Sequence, residues 1–121
     1  MAKVNFLEET LDVLENYMEI DSKNANKRID YVLMPNDEMI SWNDFAKVIK
    51  DVVYDNTSGQ QIIPEEIRIV FKKENGNNLR RYFNGQIEGW ILDVIYPGEA
   101  MRSKNLPDEN IENLKSWFDF E

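Results

Sequence analysis

The side chains that could carry out chemistry in this chain are almost all carboxylates and basic groups. Its 121 residues include 23 aspartates and glutamates, 14 lysines and arginines, and no cysteine or histidine. The chain therefore lacks a thiol nucleophile, an imidazole base, a serine–histidine–aspartate triad and the ligands of a zinc finger. What remains is carboxylate chemistry or binding without catalysis. Because spacing alone places no pair of carboxylates for acid–base work, we expect a non-enzymatic protein with no metal and no cofactor.

The net charge of −9 lies at the two ends of the chain. Residues 1–21 hold six acids and one base, residues 106–121 hold five acids and one base, and the residues between them are balanced. This sign disfavours direct nucleic-acid binding, which depends on basic contacts to phosphates. Acids along a helix are commonly a solvated face, but they also fit a basic patch on another protein. The candidate partner-binding residues are Glu8, Glu9, Asp12, Glu15 and Glu19.

Three stretches have the apolar periodicity of amphipathic helices. Residues 4–19 place apolar side chains at spacings of three and four, with acids on the opposite face. In residues 41–53, Ser41 stands where an N-cap is expected and Asp44 follows three residues later. A proline and two acids open a third pattern over residues 107–120. The sequence thus predicts N-terminal, middle and C-terminal helices.

Strands are predicted in two places. Ile29–Met34 has the composition of a short strand, and Ile67–Tyr96 contains three alternating runs separated by two Asn-Gly pairs, which favour hairpin turns. The predicted order is α-β-α-β-β-β-α. We therefore expect one domain over residues 1–121, of the α+β class, with a three- to four-stranded antiparallel meander and the three helices.

The register of the meander decides which residues face the core. A two-residue loop at the second Asn-Gly pair sets Arg81 opposite Glu88, and a longer first loop sets Ile69 opposite Phe83. This choice collects the apolar side chains on one face, and a slip of one residue would turn them outward. The predicted inward residues are Ile67, Ile69, Phe71, Leu79, Phe83, Trp90, Leu92 and Val94.

The opposite face of the predicted meander is rich in cations. The same register sets Lys72 directly across from Arg80, and two facing cations destabilise a sheet unless something neutralises them. One interpretation is an anion or nucleotide site, in which the cations hold phosphate and Tyr82 stacks on a base. The other is that the acidic N-terminal helix or a partner chain covers this face. The candidate ligand-binding residues are Arg68, Lys72, Arg80 and Tyr82.

Short motifs between residues 42 and 90 suggest a family. They are Trp42-x-Asp44-Phe45, Tyr54-Asp55 with Gly59, a strand ending in Phe71, Arg81-Tyr82, and Glu88-Gly89-Trp90. This pattern resembles small accessory proteins of phages and prophages of low-GC Gram-positive bacteria. The resemblance implies no catalytic residues, and it implies an antagonist of a bacterial defence system, as anti-CRISPR proteins are.

The leading hypothesis is a non-enzymatic inhibitor that binds the basic surface of a host defence or nuclease protein through its acidic helices. Two alternatives stay open: a sponge that sequesters a nucleotide second messenger on the cationic face, and an immunity protein against a toxin nuclease. The N-terminus has no signal-peptide pattern, and no apolar run reaches the length of about 18 residues that a membrane span needs. We therefore expect a cytoplasmic protein, monomeric or homodimeric, that acts in the host cell if it is phage-encoded and has no membrane partner.

Overall fold

A five-stranded antiparallel sheet is the centre of the fold, in the strand order β3-β2-β5-β6-β7. The computed structural model describes residues 3–72, 77–93 and 114–118. The strands are β1 Lys3–Asn5, β2 Ile29–Leu33, β3 Met39–Ile40, β4 Val53–Asp55, β5 Arg68–Phe71, β6 Asn78–Phe83 and β7 Glu88–Asp93. The helices are α1 Phe6–Tyr17, α2 Ala25–Arg28, α3 Trp42–Ile49 and a 3₁₀ helix Ser116–Phe118.

The predicted α+β class and the antiparallel meander β5-β6-β7 are confirmed. The sheet has one strand more than the three or four expected, because β3, which is only two residues long, pairs with β2. A second, two-stranded sheet joins β1 to β4, with Val4 opposite Tyr54. None of the helices in the described ranges has both the length and the apolar character needed to cross a membrane.

Helix α1 begins two residues later than its periodicity predicts. Val4 belongs to β1, and Asn5 is the N-cap, its side chain accepting a hydrogen bond from the Glu8 amide at 2.9 Å. The fully buried line of the helix is Phe6, Thr10 and Leu14. The predicted stripe through Leu7 and Leu11 is only partly buried, because the aromatic core draws Phe6 inward.

Helix α3 follows its prediction closely. Ser41 is the N-cap and accepts from the Asp44 amide at 3.1 Å, although the helix ends at Ile49 rather than at residue 53. The third predicted helix lies mostly outside the described residues. Its described part is helical from Leu114 and ends as the 3₁₀ helix, with Phe118 buried.

The aromatic core joins these elements. The ring of Phe6 lies 6.0 Å from Phe45, 5.9 Å from Phe118 and 5.8 Å from Trp90, measured between centroids. Aromatic pairs at such distances add to the free energy gained by burial. The start of α1 is therefore held against α3, the 3₁₀ helix and the edge strand β7.

Both predicted hairpin registers are wrong, each by an even number of residues. Arg81 pairs with Trp90 rather than with Glu88, because the second loop has four residues, Asn84–Ile87, closed by a bond from the Asn84 amide to the Ile87 carbonyl. Ile69 pairs with Leu79 rather than with Phe83. An even slip preserves the face on which each side chain lies, and Ile67, Ile69, Phe71 and Leu79 are buried as predicted. Leu92 is 45% exposed and Val70, predicted to face outward, is buried, while Val94 lies outside the described residues.

Candidate functional site

Helix α1 presents a line of exposed carboxylates formed by Glu8, Asp12 and Glu15, which we call the acidic stripe. Their spacing of four and three residues places them on one face of a helix. Glu19, just beyond the end of the helix, is also exposed. Asp12 accepts a hydrogen bond from Asn16 at 2.6 Å, and no basic side chain in the described residues forms an ion pair with the stripe.

Glu9 does not belong to that exposed face. Its side chain is only 15% exposed, and its Oε1 accepts a hydrogen bond from the Tyr54 hydroxyl at 2.6 Å and lies 3.9 Å from Arg81 Nη1. Burial raises the pKa of the Glu9 carboxyl above 4.5, although the Arg81 charge acts in the opposite direction. Of the five acids predicted to contact a partner, Glu9 is therefore mainly an anchor of α1.

The anchor belongs to a buried polar group that we call the Arg81 cluster, consisting of Arg81, Glu88, Glu9 and Tyr54. Arg81 Nη2 donates to Glu88 Oε2 at 3.1 Å and to the Tyr54 hydroxyl at 2.8 Å. The side chains of Arg81 and Glu88 are 0% and 1% exposed. Burial is also the main cause that raises the pKa of Tyr54. Since Arg81 is the cluster's cation and Glu88 and Glu9 are its carboxylates, each charge faces an opposite one.

Glu88 connects this cluster to the chain before β5. Its two carboxylate oxygens accept the amides of Ile62 and Ile63 at 2.6 and 3.1 Å. Carboxylates that accept several hydrogen bonds can remain charged when buried. The predicted Arg81–Glu88 contact is thus present, but as a diagonal contact across the hairpin rather than as a directly opposed pair.

Aromatic rings enclose the Arg81 guanidinium. Its central carbon lies 4.8 Å from the Trp90 ring centroid and 5.1 Å from that of Phe6. Nε and Nη1 of Arg81 have no hydrogen-bond partner in the described part of the chain. Ring faces are attractive to a cation, and they compensate part of this loss. The cluster thus binds α1, β4, β6 and β7 together rather than facing solvent.

The cationic face of the sheet differs from its prediction. Arg68, not Lys72, lies opposite Arg80, and both arginines approach the same oxygen of Asp93, at 3.4 and 3.3 Å. Lys72 lies beyond the end of β5, where its amide donates to the Arg28 carbonyl. Asp93 thus supplies the neutralising charge that sequence reasoning assigned to the acidic helix or to a partner.

Tyr82 also lies on this face, where it pairs with Gly89 and is 37% exposed. The structure therefore brings Arg68, Arg80 and Tyr82 onto one face of the meander and leaves Lys72 at its end. Because Asp93 already occupies the two arginines, this face offers a phosphate less positive charge than the sequence indicated.

A groove of about 590 Å³ lies between α1 and β7. It is lined by Glu9, Asp12, Val13, Tyr17, Met18, Leu79, Gly89, Trp90, Ile91 and Leu92. Successive side chains of a strand point to opposite faces, so a groove lined by four consecutive residues of β7 runs along the edge of that strand. Sequence reasoning missed this groove, because it depends on how a helix and a distant strand pack.

The described residues contain no candidate metal site, because no three carboxylates come together in a way that could hold an ion.

Comparisons with protein-family models, with curated proteins and with solved structures find no match for this chain. The class that fold and site define is therefore an acidic α+β protein with an exposed carboxylate stripe beside an edge groove. The resemblance to phage accessory proteins stays a hypothesis.

Proposed function

We propose that this protein is a non-enzymatic binding protein that engages a basic surface of another protein through the acidic stripe of α1. The observation that supports the proposal is the combination of exposure and lack of internal pairing. Glu8, Asp12 and Glu15 are exposed, and within the described residues no cation neutralises them. Carboxylates in a fixed row attract a complementary positive patch and accelerate encounter with it.

The buried anchors of α1 support the same proposal. Phe6 and Thr10 are fully buried, and Glu9 is tied to Tyr54 and Arg81, so the rotation of α1 about its axis is fixed. A fixed row of charges binds at a smaller entropic cost than charges on a mobile segment. By contrast, Arg68 and Arg80 already share Asp93, so the geometry favours nucleotide capture less.

The partner class follows from the resemblance to phage accessory proteins. On that basis the basic partner is a component of a bacterial defence system, and the protein acts as its inhibitor in the cytoplasm of the host. A toxin nuclease would present the same kind of basic surface, in which case the protein is an immunity protein. The identity of the captured protein distinguishes the two.

Charge reversal tests the proposal. The tagged protein is used to capture partners from a lysate of a low-GC Gram-positive bacterium, and the affinity of the captured protein is then measured at several salt concentrations. The variant Glu8→Lys/Asp12→Lys/Glu15→Lys is expected to slow association about tenfold or more and to flatten its salt dependence.

A matched variant controls for net charge. Glu38, Glu65 and Glu66 are exposed and lie outside α1, so Glu38→Lys/Glu65→Lys/Glu66→Lys changes the charge by the same amount. It is expected to bind nearly as the unchanged protein does. The proposal fails if both triple variants lose affinity equally, or if neither loses any.

A further inference from the structure

The outer edge of β7 carries main-chain N–H and C=O groups that have no main-chain hydrogen-bond partner in the described residues. In an antiparallel ladder, alternate residues direct their N–H and C=O groups toward the partner strand. The Glu88 amide instead bonds to the Asn56 carbonyl at 3.0 Å, so Glu88 directs its main chain away from β6. Trp90 and Leu92 lie two and four residues further along β7, so their main-chain groups point to the same side of the strand as those of Glu88. Their N–H and C=O groups therefore face the groove, where the described part of the chain supplies no main-chain partner.

Beyond Glu88, whose buried carboxylate is an inward charge, this edge lacks the usual protection against pairing. Natural edge strands are commonly blunted by lysine, proline, a bulge or an inward charge. The six residues of β7, Glu88–Asp93, contain neither lysine nor proline, and they pair with β6 without a register shift. The apolar side chains of Ile91 and Leu92 remain 39% and 45% exposed. An edge of this kind is a template for a further strand.

The walls of the groove indicate what that strand contains. Leu92 supplies apolar surface on the β7 side, and Val13 and Met18 do so on the α1 side. Asp12 and the partly exposed carboxylate of Glu9 stand on the same wall of α1, next to the rest of the acidic stripe. Branched apolar side chains fit the first kind of surface, and lysine or arginine fits the second.

We propose that the groove between α1 and β7 binds an extended, basic peptide segment of the partner, which adds as a strand to the edge of β7. The inference rests on the proposed function, because it names the part of the basic partner that is recognised. Main-chain bonds to Trp90 and Leu92 hold the segment in an extended conformation, and its basic side chains face Glu9 and Asp12. A helix would leave those main-chain groups unpaired.

A short synthetic peptide is the probe. Acetyl-Lys-Val-Lys-Val-Lys-amide has the required charge and strand propensity. Two controls separate the contributions. The same peptide with every amide N-methylated keeps the charge but has no main-chain donor, and its methyl groups block close approach to the strand edge. Acetyl-Glu-Val-Glu-Val-Glu-amide keeps the pairing but reverses the charge. Titration is followed through the amide resonances of the ¹⁵N-labelled protein. We expect the basic peptide to shift the Trp90 and Leu92 amides and to slow their hydrogen exchange, and we expect neither control to do so.

One pair of variants isolates the main-chain bond. Leu92→Pro removes an outward N–H group that the β6 ladder does not use, and proline is tolerated at such edge positions. Leu92→Ala shortens the same side chain and keeps the N–H group. Loss of one hydrogen bond is expected to make peptide binding to Leu92→Pro roughly five-fold weaker than to Leu92→Ala. Unchanged chemical shifts in β6, the strand that pairs with β7, verify that the sheet is intact.

Three outcomes overturn the inference. Equal affinities of Leu92→Pro and Leu92→Ala, or binding of the N-methylated peptide, would mean that charge alone holds the probe. If the Trp90 and Leu92 amides are already protected from exchange without peptide, in a manner that depends on protein concentration, a second copy of the chain occupies the edge.

Failure of the inference is distinguishable from failure of the proposed function. If the peptide does not bind the groove while reversal of the acidic stripe still abolishes capture of the partner, the proposed function stands without the inference. If capture ignores the stripe, the proposed function fails, whatever the peptide does.

Discussion

Replacing Arg81 with methionine tests the energetic role of the Arg81 cluster. Methionine retains much of the apolar length of arginine but removes the only cation that contacts Glu88 and Glu9 within the described residues. Removing one partner of a buried ion pair leaves an uncompensated charge and costs about 3–5 kcal/mol. Domains of this size are stable by about 5–15 kcal/mol, so the loss is a large fraction of the total.

The cluster also predicts an asymmetry between its two fully buried charges. Glu88→Gln leaves Arg81 beside Glu9, and the glutamine carbonyl can still accept from the Ile62 or Ile63 amide. The expected loss is then that of a charged hydrogen bond, about 1.5–3 kcal/mol. Urea unfolding followed by tryptophan fluorescence measures both variants, and an unchanged m-value verifies that the unfolding reaction is the same.

The double variant Arg81→Met/Glu88→Gln makes the reasoning refutable even if the single variant is barely folded. The second substitution eliminates the fully buried uncompensated carboxylate of Glu88 and leaves only the partly exposed Glu9 without its cation, so the double variant is expected to be more stable than Arg81→Met alone. A double variant that is less stable than Arg81→Met would refute the account, as would an Arg81→Met variant that loses no more than Glu88→Gln.

Three further changes have expected outcomes. The pKa of Glu9 is raised above 4.5 in the folded protein, so the native state binds the extra proton and loses stability as the pH rises from that value through the folded pKa. Glu9→Gln should reduce this loss of stability. The free energy of unfolding in urea is measured at pH 5 and at pH 7, and the same difference between the two pH values in both proteins would contradict the prediction. Trp90→Phe loses the 2.9 Å hydrogen bond from the indole N–H to Thr10 Oγ1 but keeps a ring over Arg81. We expect the free energy of unfolding in urea to fall by about 0.5–1.5 kcal/mol for the hydrogen bond, with a further loss because the smaller ring buries less apolar surface. An unchanged free energy of unfolding would contradict a stabilising role of this hydrogen bond. Asn5→Ala removes the N-cap of α1 together with the 2.8 Å bond from Asn5 Nδ2 to the Lys50 carbonyl, and should cost about 1 kcal/mol for the cap in addition to the loss of that bond. Asn5→Ser, which keeps a capping oxygen but lacks the amide group, should cost less by the same assay.

Local signals predicted the elements well. The Ser41 cap and the apolar period that follows it located α3, and the two Asn-Gly pairs marked the meander. These features depend on residues that are close together in the chain, so they can be recognised from the sequence alone. Strand β3 was not predicted, because its two residues form a strand only through pairing with β2.

Register was not predictable from the same signals. Alternation defines which face a residue occupies, but a slip of two or four residues leaves every face unchanged. The four-residue loop Asn84–Ile87 and the pairing of Arg68 with Arg80 are therefore equally compatible with the alternation that was observed in the sequence. The error had a consequence for the site: it assigned Lys72, instead of Arg68, to the position opposite Arg80, and it hid the role of Asp93.

Arg81 shows what sequence parity can and cannot reveal. It alternates with Leu79 and Phe83, so it lies on the core-facing side of β6, and a buried arginine requires compensation. That requirement was available from the sequence. The compensating groups, Tyr54 and Glu9, are 27 and 72 positions away along the chain, and only the packing of α1 and β4 brings them together.

The Arg81 cluster and the acidic stripe are two consequences of one orientation of α1. Consecutive residues of a helix differ by about 100° around its axis, so fixing Glu9 and Thr10 inward leaves Glu8 turned away from the core. Asp12 and Glu15 follow at helical spacing. A surface that uses these charges therefore depends on a buried group that touches no partner. For this reason the stability of the cluster must be measured beside the affinity of any variant of α1, because a loosened helix would weaken binding without any change in its exposed charges.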